Sequence, residues 1–117
     1  MSVQIILPMP PSVNGLFAGK TRRYRSKSYE AWIVEAGLRL NLQRPSPCFG
    51  PVHLALEVEE QRTKRRQDLS NRIKAVEDLL VSHGIIEGDD QRFVRKITME
   101  WSPEVSGVRI TVTPSKP

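Results

Sequence analysis

Four apolar residues at every second position narrow this chain's folding choices most. Val52, Leu54, Leu56 and Val58 alternate with His53, Ala55, Glu57 and Glu59. Successive side chains of a strand point to opposite faces, so this period marks a strand with one face in a core and one in water. Such a strand needs neighbours and a cover. Val3 to Leu7 is a second short strand, ended by prolines. Ile97, Met99 and Trp101 alternate with polar residues, as do Val108, Ile110 and Val112, and Ser102 to Gly107 joins them. That pattern predicts a final β-hairpin.

Two stretches carry the helical period. Ser26 or Ser28 can cap a helix running to about Gln43, with Tyr29, Trp32, Ile33, Ala36 and Leu40 on one stripe and Glu30, Glu35 and Arg39 off it. A second helix starts at or just after Asp68, whose side chain suits an N-cap. At about 100° per residue, Leu69, Ile73, Val76 and Leu80 share one face. Ser70, Asn71, Lys74 and Glu77 lie opposite, and Gly84 is the C-terminal cap. The order β-α-β-α-β-β predicts an α+β fold, a mixed sheet with two helices on one face, as a single domain over residues 1–117.

Charge says what such a domain would meet. The chain has a formal net charge of +5. Lys20, Arg22, Arg23, Arg25 and Lys27 occupy one segment and Arg62, Lys64, Arg65 and Arg66 another, together nine of the 18 basic residues. Basic clusters of this kind suit a polyanionic partner, or simply a solvated surface. Tyr24, inside the first cluster, could stack on a base or pack back on the domain. Between the strands, Pro8 to Gly15 is a stiffened loop with an Asn14-Gly15 turn, which either connects two elements or walls a site. Cys48 is the lone cysteine, so no internal disulfide forms, and its Pro-rich surroundings mark it as a bystander. No apolar run approaches the roughly 20 residues of a membrane span, and the start lacks a signal-peptide pattern, so a cytoplasmic protein is expected. His53, Glu57 and Glu59 fall on the outward strand face and read as solvated surface.

Chemistry concentrates between Arg62 and Asp90. A basic run precedes Asp68, Lys74 follows on the helix, and Glu87-Gly88-Asp89-Asp90 puts three acids in four residues. That turn is either solvated surface or a place where a divalent cation relieves like charges. Carboxylates that bind Mg²⁺, with a lysine nearby, can activate water and stabilise charge on a phosphodiester. No phosphate-binding glycine loop, CxxC pattern, HExxH or serine triad is present.

Three segments together resemble the RusA family of Holliday-junction resolvases. LPMPPSVN (Leu7 to Asn14) is similar to the family's strand-end proline loop, with Asn14 at its asparagine. RRQDLSNRIKAVEDLL (Arg65 to Leu80) resembles its R-x-D-x-D-N-x-x-K-x-x-x-D-x-L pattern. GIIEGDDQRFV (Gly84 to Val94) resembles its closing G-x-(hydrophobic)-x-x-D-D-x-x-V element. The resemblance implies a Mg²⁺-dependent homodimer (Mn²⁺ as a substitute) that binds four-way DNA junctions and nicks two opposed strands symmetrically, in recombination and repair. It implies Asp68, Lys74 and Asp90 as catalytic residues, with Asp68, Asp89 and Asp90 as metal ligands. Asn14, Asn71 and Lys20, Arg22, Arg23, Arg25, Lys27, Lys64, Arg65 and Arg66 are the expected DNA-binding residues. One position departs from the pattern: Ser70 stands where the family has its second acid. A hydroxyl is a weaker ligand than a carboxylate, so a junction-binding module with little cleavage is the alternative expectation. The closing turn is also about one residue longer than the family's usual one, which leaves Asp89 and Asp90 both open as the principal acid.

Overall fold

The alternating run forms a strand, Val52–Glu59, and it lies inside the sheet with neighbours on both sides. The computed structural model describes residues 2–19, 23–60 and 67–116. In chain order these contain β1 (Val3–Leu7), β2 (Phe17–Ala18), β3 (Tyr24–Arg25), α1 (Lys27–Gln43), β4 (Val52–Glu59), α2 (Ile73–Ser82), β5 (Val94–Ser102) and β6 (Val108–Pro114). The main sheet runs β1-β6-β4-β5. β4 is parallel to β5 and antiparallel to β6, and β6 is antiparallel to β1. The fold is therefore α+β with a mixed sheet and two helices, as the alternating periods predict. Among the described residues no helix is long and apolar enough to cross a membrane.

Register explains the core. Leu54 pairs with Val112 and Ile97, Leu56 with Ile110 and Met99, and Val58 with Val108 and Trp101. Ile5 and Leu7 extend that face across β1. Tyr29, Trp32, Ala36 and Leu40 of α1 and Ala75, Val76, Leu79 and Leu80 of α2 bury against it in one cluster. Ser26 is the serine that caps α1: its Oγ accepts from the Tyr29 amide at 3.1 Å.

The final hairpin does not form. β5 and β6 lie on opposite sides of β4, and their connection, Pro103 to Gly107, passes over the end of β4. Backbone bonds clamp that crossing: Glu59 N–H donates to Gly107 O at 2.8 Å and Glu60 N–H to Ser102 O at 3.1 Å. The Glu59 carboxylate accepts from Gly107 N–H at 2.7 Å. Period-two patterning says which face of a strand is buried but not which strand is its neighbour. Glu57 and Glu59 are not merely solvated. Glu57 sits opposite Arg109 and accepts two bonds from it, at 2.9 and 2.6 Å. Around the first basic cluster a two-stranded ribbon forms, with Phe17 paired to Arg25 and Ala18 to Tyr24.

The β1 edge is closed by a side chain. Gln43 accepts from Ile6 N–H at 2.8 Å and donates to Ile6 O at 2.7 Å. A helix-end amide thus occupies groups that another strand would otherwise pair with.

The Glu57–Arg109 pair makes a prediction about acid. Hydrogen bonding to Arg109 holds the Glu57 carboxyl below its ordinary range. A depressed carboxylate stabilises the fold above its unfolded pKa of about 4 and loses that contribution as pH falls through the folded value. Glu57→Gln should therefore flatten the decline of melting temperature between roughly pH 5 and pH 2.5. Melting curves across that window measure it, and parallel declines for both proteins would refute it.

Candidate active site

The second helix opens more tightly than its sequence suggests. Leu69–Arg72 forms a 3-10 turn, and the α-helix begins at Ile73. A 3-10 turn advances about 120° per residue, so the predicted face shifts. Ala75, Val76, Leu79 and Leu80 are buried, while Leu69 and Ile73 are only partly so. Asp68 holds the cap position with extended backbone, and its carbonyl accepts from Asn71 N–H at 3.2 Å. Its carboxylate makes no capping bond, and no other hydrogen bond or ion pair among the described residues. That acid is exposed and unengaged there, two residues before the exposed Ser70.

Arg72 ties this turn to the proline loop, donating to Pro10 O at 2.7 Å and to Gln67 Oε1 at 3.1 Å. Trp32 Nε1 holds the start of that loop by donating to Pro8 O at 3.0 Å. Loop, α1 and Arg72 enclose a cleft of about 410 Å³ lined by Pro8, Met9, Pro10, Pro11, Ser28, Ala31, Trp32, Glu35 and Arg72. The turn carrying Asn14 (Val13–Gly15) packs against the one carrying Ser70 and Asn71. The proline loop does wall a cleft, then, and sequence spacing did not reveal Arg72 as its tether. A bond between residues 62 positions apart leaves no local signature.

On the exposed side of α2, Lys74 faces two carboxylates. Its Nζ lies 3.1 Å from Asp78 Oδ1 and 3.6 Å from Asp89 Oδ2. The interaction of its ammonium with the accepting Asp78 carboxylate raises the Lys74 pKa above its ordinary value, with Asp89 and Glu77 adding to it, so the ammonium is charged at neutral pH. Burial, then the nearby Asp89 charge, raises the Glu77 carboxyl. Asp90 is differently engaged. Arg92 donates to it from its backbone N–H at 2.9 Å and from Nε and Nη2 at 3.0 and 2.8 Å. Those bonds hold the Asp90 carboxyl at about 2.

Of the expected site residues, then, the fold joins Lys74 to Asp89, sets Asp90 beside them on an arginine, and leaves Asp68 at the entry to α2 without a side-chain partner among the described residues. Asp78 is a contact that the sequence reading left without a role. Among the basic residues, Arg23, Arg25 and Lys27 are exposed along the β2–β3 ribbon and the start of α1. Tyr24 is 61% exposed there and does not pack back on the domain. Phe17 anchors the ribbon edge-on to Tyr29, and Arg25 covers the same ring at 5.8 Å. Lys20, Arg22, Lys64, Arg65 and Arg66 lie outside the described residues. So does Arg62.

Among the described residues no three His, Cys, Asp or Glu side chains converge as a ready-made metal cage. The donor chemistry nonetheless fits a hard divalent cation. Mg²⁺ is commonly held by one or two carboxylates, with water and substrate phosphate filling the remaining positions. Asp68 and the Asp89–Asp90 turn supply oxygen donors only.

A family model described as endodeoxyribonuclease RusA matches residues 8–113 of the 117. No curated protein matches the chain.

Proposed function

The chain belongs to the RusA family of endodeoxyribonucleases, and from that premise we propose that it resolves four-way DNA junctions by paired, symmetric, Mg²⁺-dependent nicking. Family membership carries Holliday-junction endonuclease activity and the need for a divalent metal. The residues, the ion and the dimer are the proposal. Its single supporting observation is the charged Lys74 ammonium at 3.6 Å from Asp89.

In this reading Asp68 and the Asp89–Asp90 turn hold the cation, Asp89 principally, because it faces Lys74 while Asp90 is occupied by Arg92. Held by these carboxylates, a divalent cation would lower the pKa of a water and offset phosphoryl charge. Lys74 stabilises the negative charge that develops on the phosphate or its leaving oxygen. Arg23, Arg25 and Lys27, with the remaining basic residues of the two clusters, hold the DNA backbone, and their contribution falls with salt. Asn14 and Asn71, on adjoining turns, line the approach to the scissile strand. A homodimer follows from the substrate: a symmetric junction presents two equivalent scission points, and a two-fold pair presents two equivalent sites. The outward stripe of α1, Val34, Leu38 and Leu42, is exposed apolar surface of the kind that supports association. Such a nuclease works beside DNA in the cytoplasm.

A labelled immobile junction, incubated with Mg²⁺, Mn²⁺ or EDTA and resolved for binding and nicking, tests the reading. Paired nicks with either metal and none in EDTA are expected. Asp68→Asn and Asp89→Asn should each lower the nicking rate by two orders of magnitude or so, and Asp90→Asn by less. Asp90→Asn as the more damaging of the two turn variants would move the principal role to Asp90. Binding without nicking in any metal would favour the second reading, a junction binder, for which Ser70 in place of an acid is the specific ground.

A further inference from the structure

We propose that Asp78 is a positioning residue that holds the Lys74 ammonium against the scissile phosphate; this rests on the junction-nuclease reading. An exposed lysine carries a compact charge on a flexible four-carbon stem and must be fixed to act at one point. Asp78 lies one helical turn after Lys74, so the two side chains share a face. The 3.1 Å contact to Oδ1 is shorter than the 3.6 Å contact to Asp89.

The two carboxylates differ in what supports them. Asp89 sits in an exposed turn. Asp78 belongs to a helix whose opposite face, Ala75, Val76, Leu79 and Leu80, is locked into the core. Its other side lines a cavity of about 190 Å³ between the helices, with Arg25, Tyr29 and Ser82. Lysine has three N–H donors. Paired to Asp78 at 3.1 Å and to Asp89 at 3.6 Å, the half-exposed ammonium keeps donor capacity that a phosphate oxygen can accept. If Asp89 turns to a cation, Asp78 remains the fixed partner. An exposed ion pair of this kind contributes little to stability, so loss of Asp78 should show in the reaction and not in the fold.

The test uses Asp78→Asn and Asp78→Glu in the full chain. Single-turnover nicking by Asp78→Asn should be roughly 10- to 100-fold slower, with junction affinity in EDTA and melting temperature close to wild type. Asp78→Glu, which keeps the charge, should recover most of the rate. Combining Asp78→Asn with Lys74→Ala should slow nicking no further than Lys74→Ala alone, because residues acting through one another are not additive. A measurement that needs no turnover is the side-chain ¹⁵Nζ signal of Lys74 in EDTA. It should lose its ordered, slowly exchanging character in Asp78→Asn and keep it in Asp78→Glu. Wild-type nicking by Asp78→Asn, multiplicative losses in the double variant, or an unchanged Lys74 signal would each overturn the role of Asp78. Failure of the wild type to nick would overturn the nuclease reading. The Lys74 signal would then decide separately whether Asp78 holds the ammonium.

Discussion

Lys74→Ala is expected to slow junction nicking at least about a hundredfold while leaving junction binding in EDTA nearly intact. The rate loss follows from where the charge is needed. A preorganised cation aimed at developing negative charge is worth about two to three orders of magnitude in rate when removed. Lys74 is the basic group that the fold sets between Asp78 and Asp89. Binding should persist because Arg23, Arg25, Lys27 and the second basic cluster remain, and one lost phosphate contact lowers the salt slope by only about one unit. Lys74→Arg should not restore the full rate, since a planar guanidinium cannot present a point charge in the same place. Single-turnover nicking and gel-shift titration, run on the same protein, separate the two quantities. Lys74→Ala nicking at the wild-type rate would remove Lys74 from the mechanism.

The largest expected effect on stability comes from Gly107→Ala. Gly107 has φ +76°, a conformation that costs a side-chain-bearing residue about 1–3 kcal/mol. An added Cβ would also run into the carbonyl of Leu7, part of the backbone of β1. Neither partner can yield easily. Gly107 is bonded to Glu59 through both its backbone groups, and Leu7 is paired with Val108 in the sheet. The cost should reach about 3 kcal/mol or more, lowering the melting temperature by roughly 10 °C. Gly50→Ala is the control. It has φ +80° but nothing within 4 Å of an added Cβ, so it carries the backbone strain without the collision. Urea unfolding of both variants measures the difference, and equal losses would show that the crossing over β4 is not close-packed.

How much of this was legible beforehand varied from segment to segment. β1 and β4 form at the limits their alternation and bounding prolines suggested, and α1 starts at one of the two serines proposed as its cap. In each case the signal is local: side-chain period, φ restriction and a capping hydroxyl all act within a few residues. The strand partners of β5 and β6 differ from the predicted hairpin because pairing is a long-range choice. Alternating apolar residues in β6 serve equally well beside β5 or between β1 and β4, and the second arrangement buries them more fully. The β2–β3 ribbon went unseen because each strand has only two residues, too few for any period to register. At the site, the residue types and their order from Asp68 through Lys74 to the Asp89–Asp90 turn could be read directly. Arg72 on Pro10, Arg92 on Asp90 and Asp78 on Lys74 could not, since a charged surface residue looks the same in sequence whether or not it has a partner.

Sequence alone determined which residues of the strands and of α1 face the core, where α1 begins, and that acids, a lysine and two basic clusters are the chemistry on offer. Those follow from steric and hydrophobic preferences that each residue expresses with its near neighbours. Tertiary structure alone decided that β4 separates β5 from β6 and that Gln43 closes the sheet's edge. It also decided that Asp89, and not Asp90, faces the lysine. These depend on distances between residues far apart in the chain, and only the packed fold sets such distances.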